Sequence, residues 1–125
     1  MERMRRRADF LAAARGAKAP TAAFVLQARV RGDEGPPRVG FTVTKKVGTA
    51  VERNRVRRRL REVVRLSAAG LLRPGSDYVV IGRRAALDLP FERCRADFVA
   101  ALGRVHRGRR TADRSPPDPR SSTTG

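Results

Sequence analysis

The sequence predicts a small α/β protein of the α+β kind, in which helices pack on a mixed β-sheet. Two segments alternate apolar and polar residues as strands do, a third is continuously apolar, and three repeat apolar residues at helical spacing. Their order along the chain is helix, strand, strand, helix, strand, helix. The 125 residues are enough for one domain with a modest core.

The first part of the chain is predicted to contain one helix and an antiparallel hairpin. Residues 5–15 favour a short helix, which Gly16 ends. Residues 24–31 and 38–46 alternate as two strands do, with a turn over residues 32–37 between them. Pairing these neighbouring strands gives a hairpin with one apolar face and one face of small and polar residues.

The next segment is predicted to be a strongly basic helix. Thr49 and Glu52 have the spacing of a capping box at its start. Its apolar side repeats at helical offsets and consists of Val56, Leu60, Val63 and Val64. The opposite face carries Asn54, Arg57, Arg58, Arg61 and Arg65. Because like charges at helical spacing repel one another, this face predicts an anionic partner.

A buried strand, a final helix and a tail complete the chain. Residues 77–83 read as a strand that is apolar on both faces. The basic helix then connects two parallel strands, for which the general expectation is a right-handed crossover. A helix begins at Pro90. The domain is predicted to span residues 1–106, and residues 107–125 are predicted to be a disordered basic tail.

The charge balance narrows the classes of partner. The formal net charge is +17, from 29 Lys and Arg against 12 Asp and Glu. This favours nucleic acid or an anionic membrane surface over small acidic substrates. Arginine carries nearly all of the charge, and its planar fork matches phosphate oxygens. A GC-rich coding sequence explains the surplus equally well, but it does not explain the clustering on one helix. No apolar run reaches the length of a membrane span. Of the two anionic partners, nucleic acid is predicted and a membrane is not.

Few residues are suited to catalysis. Cys94 lies on the apolar stripe of the last helix and is expected to be a buried structural thiol. A single cysteine excludes an internal disulfide and fits a reducing, cytoplasmic setting. His106 is expected to be solvated at the edge of the tail, and the carboxylates are scattered. The sequence therefore predicts no catalytic side chain and no metal site on the protein.

The outward face of the predicted hairpin is a second candidate site. It presents small or uncharged side chains beside the basic helix: Val25, Gln27, Thr42 and Thr44. One interpretation is an ordinary solvent-facing sheet. The other is a groove that holds an extended single strand of nucleic acid. Phe10 on the first helix is placed to stack on a base there, although phenylalanine is more often a core residue.

Several motifs resemble the bacterial ribonuclease P protein subunit. Residues 39–48 read VGFTVTKKVG, and Ala50-Val51 and the RNR element Arg53-Asn54-Arg55 follow, leading into Arg58. The RNR element is specific in this strand, turn and helix context. The resemblance continues in residues 8–10, 24–26 and 77–81, and it covers roughly residues 3–105.

The resemblance implies a fold that is more specific than the patterns alone predict. It is a two-layer α/β (α+β) sandwich with a small mixed sheet, αβββαβα-like order and the ribosomal protein S5 domain 2-like arrangement. The βαβ crossover that contains the RNR helix is left-handed in that fold. This would overrule the general expectation of a right-handed connection.

The resemblance also implies a function. The family's protein belongs to a ribonucleoprotein endoribonuclease that removes the 5′ leader of precursor tRNA by hydrolysing one phosphodiester bond. The catalytic RNA supplies the active site and its Mg²⁺ ions, so no catalytic or metal-binding residue is expected on the protein. The implied partners are the catalytic RNA and precursor tRNA, with one protein for each RNA subunit, in the cytoplasm.

Two sets of site residues follow from the resemblance. The RNA-binding set is Lys45, Lys46, Arg53, Asn54, Arg55, Arg57, Arg58, Arg59, Arg61 and Arg65. The set that lines the leader cleft is Phe10, Val25, Gln27, Thr42 and Thr44. At Ala14 and Gln27, relatives often carry aromatic residues. The cleft is therefore expected to stack bases less, at about 1–3 kcal/mol for each lost stacked base.

Two other functions remain open at this point. One is a general RNA-binding or ribosomal-type basic protein that shares the scaffold but has no role in tRNA processing. The other is a DNA-binding module that inserts the arginine helix into the major groove. The second is weaker because the sequence shows no helix-turn-helix partner for that helix.

Overall fold

Five strands form one mixed sheet, with two helices on one face and one helix on the other. The computed structural model describes residues 2–4, 6–68 and 70–113. The strands are β1 (Glu2–Arg3), β2 (Ala17–Pro20), β3 (Phe24–Val30), β4 (Arg38–Thr42) and β5 (Ser76–Gly82). The helices are α1 (Arg7–Ala13), α2 (Ala50–Ser67) and α3 (Phe91–Asp113). The mixed α/β fold predicted from the sequence is confirmed.

Strand β5 lies at the centre of the sheet, whose spatial order is β1-β4-β5-β3-β2. It pairs in parallel with β4 and antiparallel with β3. Tyr78 and Val80 belong to the main core, whereas Val79 belongs to a second cluster with Met4 and Ala13. A strand that is apolar on both faces is most stable where both faces are covered and its side chains are removed from water. This explains the central place of β5.

The predicted hairpin between residues 24–31 and 38–46 is wrong, because β5 separates β3 from β4. Strand β3 pairs instead with β2, and the short strand β1 pairs in parallel with β4. The residue patterns show neither β1 nor β2, since strands of two and four residues are too short to show alternation. The αβββαβα-like order that the resemblance implies contains β2 and lacks only β1.

The connection from β4 to β5 is the parallel crossover that the sequence predicts. Strand β4 ends at Thr42, four residues before the predicted end, and a 3-10 turn over Lys45–Val47 leads towards α2. Helix α2 then returns the chain to β5, parallel to β4. The left-handedness that the resemblance implies stays a prediction.

The main core lies between the sheet and helices α2 and α3. Phe24 of β3 contacts Phe98 of α3, with 6.1 Å between ring centroids. Cys94 is buried in this core, as predicted, and burial raises the pKa of its thiol. Among the described residues, no helix is both long and apolar enough to cross a membrane.

The prediction that His106 is solvated is wrong. His106 is buried, and its Nε2 atom lies 2.8 Å from the hydroxyl oxygen of Tyr78. Helix α3 also continues to Asp113, beyond the predicted start of the tail at residue 107. The continuing helix turns this histidine towards the sheet. The remainder of the predicted tail, residues 114–125, lies outside the described residues.

Candidate nucleic-acid interface

Helix α2 begins at the capping box that the sequence predicts. The Thr49 hydroxyl accepts a hydrogen bond from the Glu52 backbone N–H at 3.2 Å, and Glu52 accepts one from the Thr49 N–H at 2.9 Å. Arg84 donates to the carbonyl of Val47 at 2.7 Å and to Glu52 at 3.0 Å. It therefore ties the preceding 3-10 turn to the first turn of α2.

The pH dependence of stability tests this cap. Hydrogen bonds from Arg84 and the Thr49 backbone lower the pKa of Glu52 to about 2, from an ordinary value of 4.5. A lowered carboxyl pKa stabilises the fold above the unfolded pKa, and this contribution is lost as pH falls from 4.5 towards 2. We expect Glu52→Gln to have a lower Tm at pH 6 and to lose less Tm between pH 5 and pH 2.5 than the parent chain does.

Thermal unfolding followed by circular dichroism measures both effects. Glu34→Gln is the matched control, because Glu34 is an exposed turn residue that forms no ion pair within the described part of the chain. Parallel Tm-versus-pH curves for Glu52→Gln and the parent chain would show that the cap does not depend on the Glu52 carboxylate.

The arginines on the outer face of α2 differ in whether they form hydrogen bonds or ion pairs with other side chains. Arg55 and Arg58 are exposed and form no hydrogen bond or ion pair with the described residues. Arg57 donates to the Asn54 side-chain oxygen at 3.0 Å. Arg65 pairs with Glu62 at 2.7 Å, so part of its charge is compensated within the helix. Arg55 and Arg58 are thus the cations of this face most available to an anion.

Three further arginines lie on the flanks of α2. Arg59 donates to the carbonyl of Leu89, and its guanidinium lies 5.6 Å from the ring centroid of Phe91. Arg53 is half-buried, with an Nε atom that has no hydrogen-bond partner among the described residues. Arg61 lies over Phe41 of β4 at 5.9 Å. The predicted RNA-binding set therefore includes exposed side chains, the half-buried Arg53 and Arg57, and Arg59, which packs against the start of α3.

Many arginines outside α2 stabilise the fold by donating to backbone carbonyls. Arg83 donates to Thr21 at 2.9 Å, and Arg104 donates to Pro20 at 3.0 Å. Arg95 donates to Leu66 at 3.4 Å. A share of the arginine surplus is thus structural. The exposed cations of α2, with Lys45 and Lys46 on the turn before it, are a separate surface feature.

The other face of the sheet carries three rows of side chains across β3, β5 and β4. The strand registers set the rows as Val25, Ile81 and Thr42, then Gln27, Val79 and Gly40, then Arg29, Asp77 and Arg38. Of the five predicted cleft residues, Val25, Gln27 and Thr42 lie in these rows, and Phe10 packs against the second row. Ile81 and Val79 are not in the predicted cleft set, because the predicted hairpin has β3 directly beside β4.

Helix α1 covers part of this face and leaves the first row open. The Phe10 ring packs on Gly40, where an added Cβ would lie 2.5 Å from the Phe10 Cζ atom. Phe10 is half-buried and packs against the cluster of Met4, Ala13 and Val79. The close approach explains the glycine on β4. It also places Phe10 beside the open sheet surface of the first and second rows, which is the surface predicted to form the cleft and is called the cleft below.

Gln27 is the most unusual residue of the cleft floor. It is 7% exposed, yet its amide forms no hydrogen bond within the described residues. Neither amide atom is among the fully buried unpaired ones, so the amide reaches the cleft surface. Thr42 and Val25 are half-buried beside it, and Thr44 is exposed before the turn that carries Lys45. The floor therefore offers hydrogen-bonding and apolar contacts, without aromatic rings.

The third row is an ion-pair cluster centred on Asp77, which is fully buried. Its carboxylate accepts hydrogen bonds from Arg31 at 2.7 Å, from Arg29 at 3.0 Å, and from Arg38 at 2.7 and 2.8 Å. Asp9 of α1 pairs with Arg29 at 3.1 Å and Arg38 at 3.4 Å. We name these five residues the Asp77 cluster. It joins α1 to three strands.

The charge state of the Asp77 cluster follows from these contacts. Burial alone would raise the pKa of Asp77, but hydrogen bonds from Arg38, Arg31 and Arg29 outweigh it and lower this pKa below 3.8. Within the described residues, no three His, Cys, Asp or Glu side chains come together to hold a metal ion. The carboxylates of Asp9 and Asp77 already form ion pairs with arginines, so the side chains of this cluster do not fit a Mg²⁺ site.

The fold and surface define a class of protein: a basic α/β domain with an exposed arginine helix on one face of its sheet and an open row of side chains on the other. The chain belongs to the Ribonuclease P family, whose model matches residues 1–106. The ribonuclease P protein component of Brucella suis is 40% identical over 129 residues, covering 94% of this chain and 92% of that protein. That of Gluconacetobacter diazotrophicus is 56% identical over 82 residues, covering 65% and 71%.

Solved structures agree with this family assignment. The ribonuclease P protein from Thermotoga maritima has a TM-score of 0.70 at 32% identity, covering 84% of this chain and 98% of that one. The protein from Staphylococcus aureus has a TM-score of 0.68 at 27% identity, covering 82% and 94%. Family membership and the ribonuclease P protein components among its relatives together support a role in tRNA processing.

Proposed function

We propose that this chain binds the catalytic RNA of ribonuclease P through α2 and binds the 5′ leader of precursor tRNA in the cleft beside α1. The complex would then hydrolyse one phosphodiester bond to form the mature 5′ end of tRNA. Two observations carry the proposal: the exposed cations of α2 that have no partner among the described residues, on one face of the sheet, and the open first row of side chains on the other face. The phosphate backbone of the catalytic RNA would neutralise the cations of α2, and an extended single strand of RNA would occupy the open sheet face.

The side chains contribute binding and orientation in this proposal. Exposed guanidiniums on α2 donate to phosphate oxygens and fix the protein on the RNA. The cleft floor contacts leader nucleotides through Gln27, Thr42 and apolar surface, and so holds the precursor next to the RNA. Bond cleavage is assigned to the RNA subunit with Mg²⁺ bound there. The protein's part is to raise affinity for precursor tRNA over mature tRNA.

Reconstitution tests this function directly. The protein is mixed with a bacterial ribonuclease P RNA, and cleavage of precursor tRNA is measured over a range of Mg²⁺ concentrations. We expect faster cleavage at low Mg²⁺ and tighter binding of precursor than of mature tRNA. Unchanged cleavage and equal affinity for both tRNAs would refute the proposal. The result would then favour a general RNA-binding protein.

The DNA-binding alternative has less support in the structure. Within the described residues, α2 packs against the sheet and α3, and the short helix that precedes it, α1, lies on the opposite face of the sheet, where it forms no helix-turn-helix with α2. Competition between duplex DNA and the catalytic RNA for the protein distinguishes the two functions. Preferential binding of duplex DNA would support the DNA-binding function.

A further inference from the structure

Strand β1 places an arginine next to helix α2. The parallel register with β4 sets Arg3 opposite Val39, and Glu2 opposite Arg38. Residues directly opposite in a sheet project from the same face. Val39 belongs to the core beneath α2 and α3, so Arg3 lies on the α2 side of the sheet, whereas Glu2 lies on the α1 side. The side chain of Arg3 is exposed at this edge.

One arginine of α2, Arg61, comes close to Arg3. The guanidinium of Arg61 lies over the ring of Phe41, which follows Val39 by two residues and shares its face of β4. Partial burial lowers the pKa of Arg61, and the positive charges of Arg3 and Arg57 lower it further. The strand register places Arg3 on the α2 side of this sheet edge, and Arg61 over Phe41 lies within reach of its charge. Arg57 lies one helical turn from Arg61 on α2.

No carboxylate compensates these three charges within the described part of the chain. The ion pairs there join other arginines to Asp9, Asp33, Glu52, Glu62, Asp77, Glu92 and Asp97. Arg57 donates only to the neutral Asn54 oxygen. Repulsion among three adjacent cations is relieved when an anion lies between them. A phosphodiester fits, because guanidiniums donate to its oxygens from more than one side.

We propose that Arg3, Arg57 and Arg61 form a phosphodiester-binding site, and that β1 is therefore part of the surface that binds the catalytic RNA. This rests on the proposed function, in which α2 contacts that RNA. The site extends the contact surface from the helix to the edge strand of the sheet. It assigns an RNA contact to Arg3, outside the RNR element and the cleft.

The test measures affinity of the full chain for a bacterial ribonuclease P RNA as salt is varied. We expect Arg3→Gln to weaken binding about three- to tenfold at 0.1 M salt and to lower the log–log salt slope by about one. Arg61→Gln should do the same. Because both contact one phosphate, the double variant should lose less than the product of the two single losses.

Arg93→Gln is the matched control, since it removes the same charge from an exposed position on α3, which packs on the other flank of α2. Unchanged Tm values establish that the variants are folded. If Arg3→Gln binds as Arg93→Gln does while the parent chain binds the RNA tightly, the site is wrong and the proposed function stands. If the parent chain does not bind the RNA, the proposed function itself fails. A defect seen only in precursor tRNA binding by the assembled complex would assign the phosphate to the leader and overturn the site.

Discussion

Replacing Asp77 by alanine is expected to lower the free energy of unfolding by about 3–5 kcal/mol, the largest effect of any single substitution that we consider. The carboxylate is fully buried and accepts hydrogen bonds from Arg29, Arg31 and Arg38. Without it, three guanidiniums that are held close together lose their common counter-charge. Asp9 compensates two of them only at the surface of the cluster.

Urea unfolding, followed by circular dichroism, measures this effect. Asp33→Ala is the matched control, because Asp33 also pairs with Arg31, but at an exposed turn with 57% of its side chain accessible. We expect the control to lose only a small fraction of what Asp77→Ala loses, since exposed ion pairs contribute little. Equal losses in the two variants would show that burial of the Asp77 cluster does not matter for stability.

The Asp77 cluster also has a consequence for the cleft. Asp9 is next to Phe10 on α1, and it reaches across to arginines of β3 and β4. The cluster therefore sets how α1 lies on the sheet, and with it the position of the Phe10 ring over Gly40. A substitution that removes ion pairs of the cluster should change the position of α1, and with it the width of the cleft, even where the protein remains folded. Leader affinity should then fall while affinity for the catalytic RNA is kept.

Local patterns predicted the features that depend on neighbouring residues. The capping box at Thr49 and Glu52 was confirmed atom by atom, because a cap is formed within one helical turn. The core side of α2 was also confirmed, since Val56, Leu60, Val63 and Val64 are all buried. Helical periodicity fixes which side chains share a face, whatever the helix packs against.

Features that depend on long-range pairing could not be predicted from patterns. The order of β3, β5 and β4 decides which side chains become neighbours, and residues 24–46 carry no sign that a strand 30 residues later enters between them. The Asp77 cluster was missed for this reason. Charge alone also failed to separate Arg59, which contacts Leu89 and Phe91, from the exposed Arg58 next to it in sequence.

The exposed cations of α2 and of the turn before it are expected to provide most of the charge that binds RNA. Lys46, Arg55 and Arg58 are exposed and form no ion pair within the described residues. In the proposed function they neutralise phosphates of the catalytic RNA. Replacing all three by glutamine should lower the log–log salt slope by about three and weaken binding on the order of 100-fold near physiological salt. Fluorescence titration of labelled RNA over a series of salt concentrations measures both quantities.

A control with the same change in net charge shows whether position matters. Replacing Arg93, Arg95 and Arg104 by glutamine also removes three positive charges, all from α3, where each side chain already has a partner. If binding depended on net charge alone, the two triple variants would lose affinity equally. A contact surface on α2 instead predicts that the α3 variant keeps most of the slope of the parent chain. The difference between the two slopes therefore counts the phosphates that Lys46, Arg55 and Arg58 hold, separately from the long-range attraction of a protein with a net charge of +17.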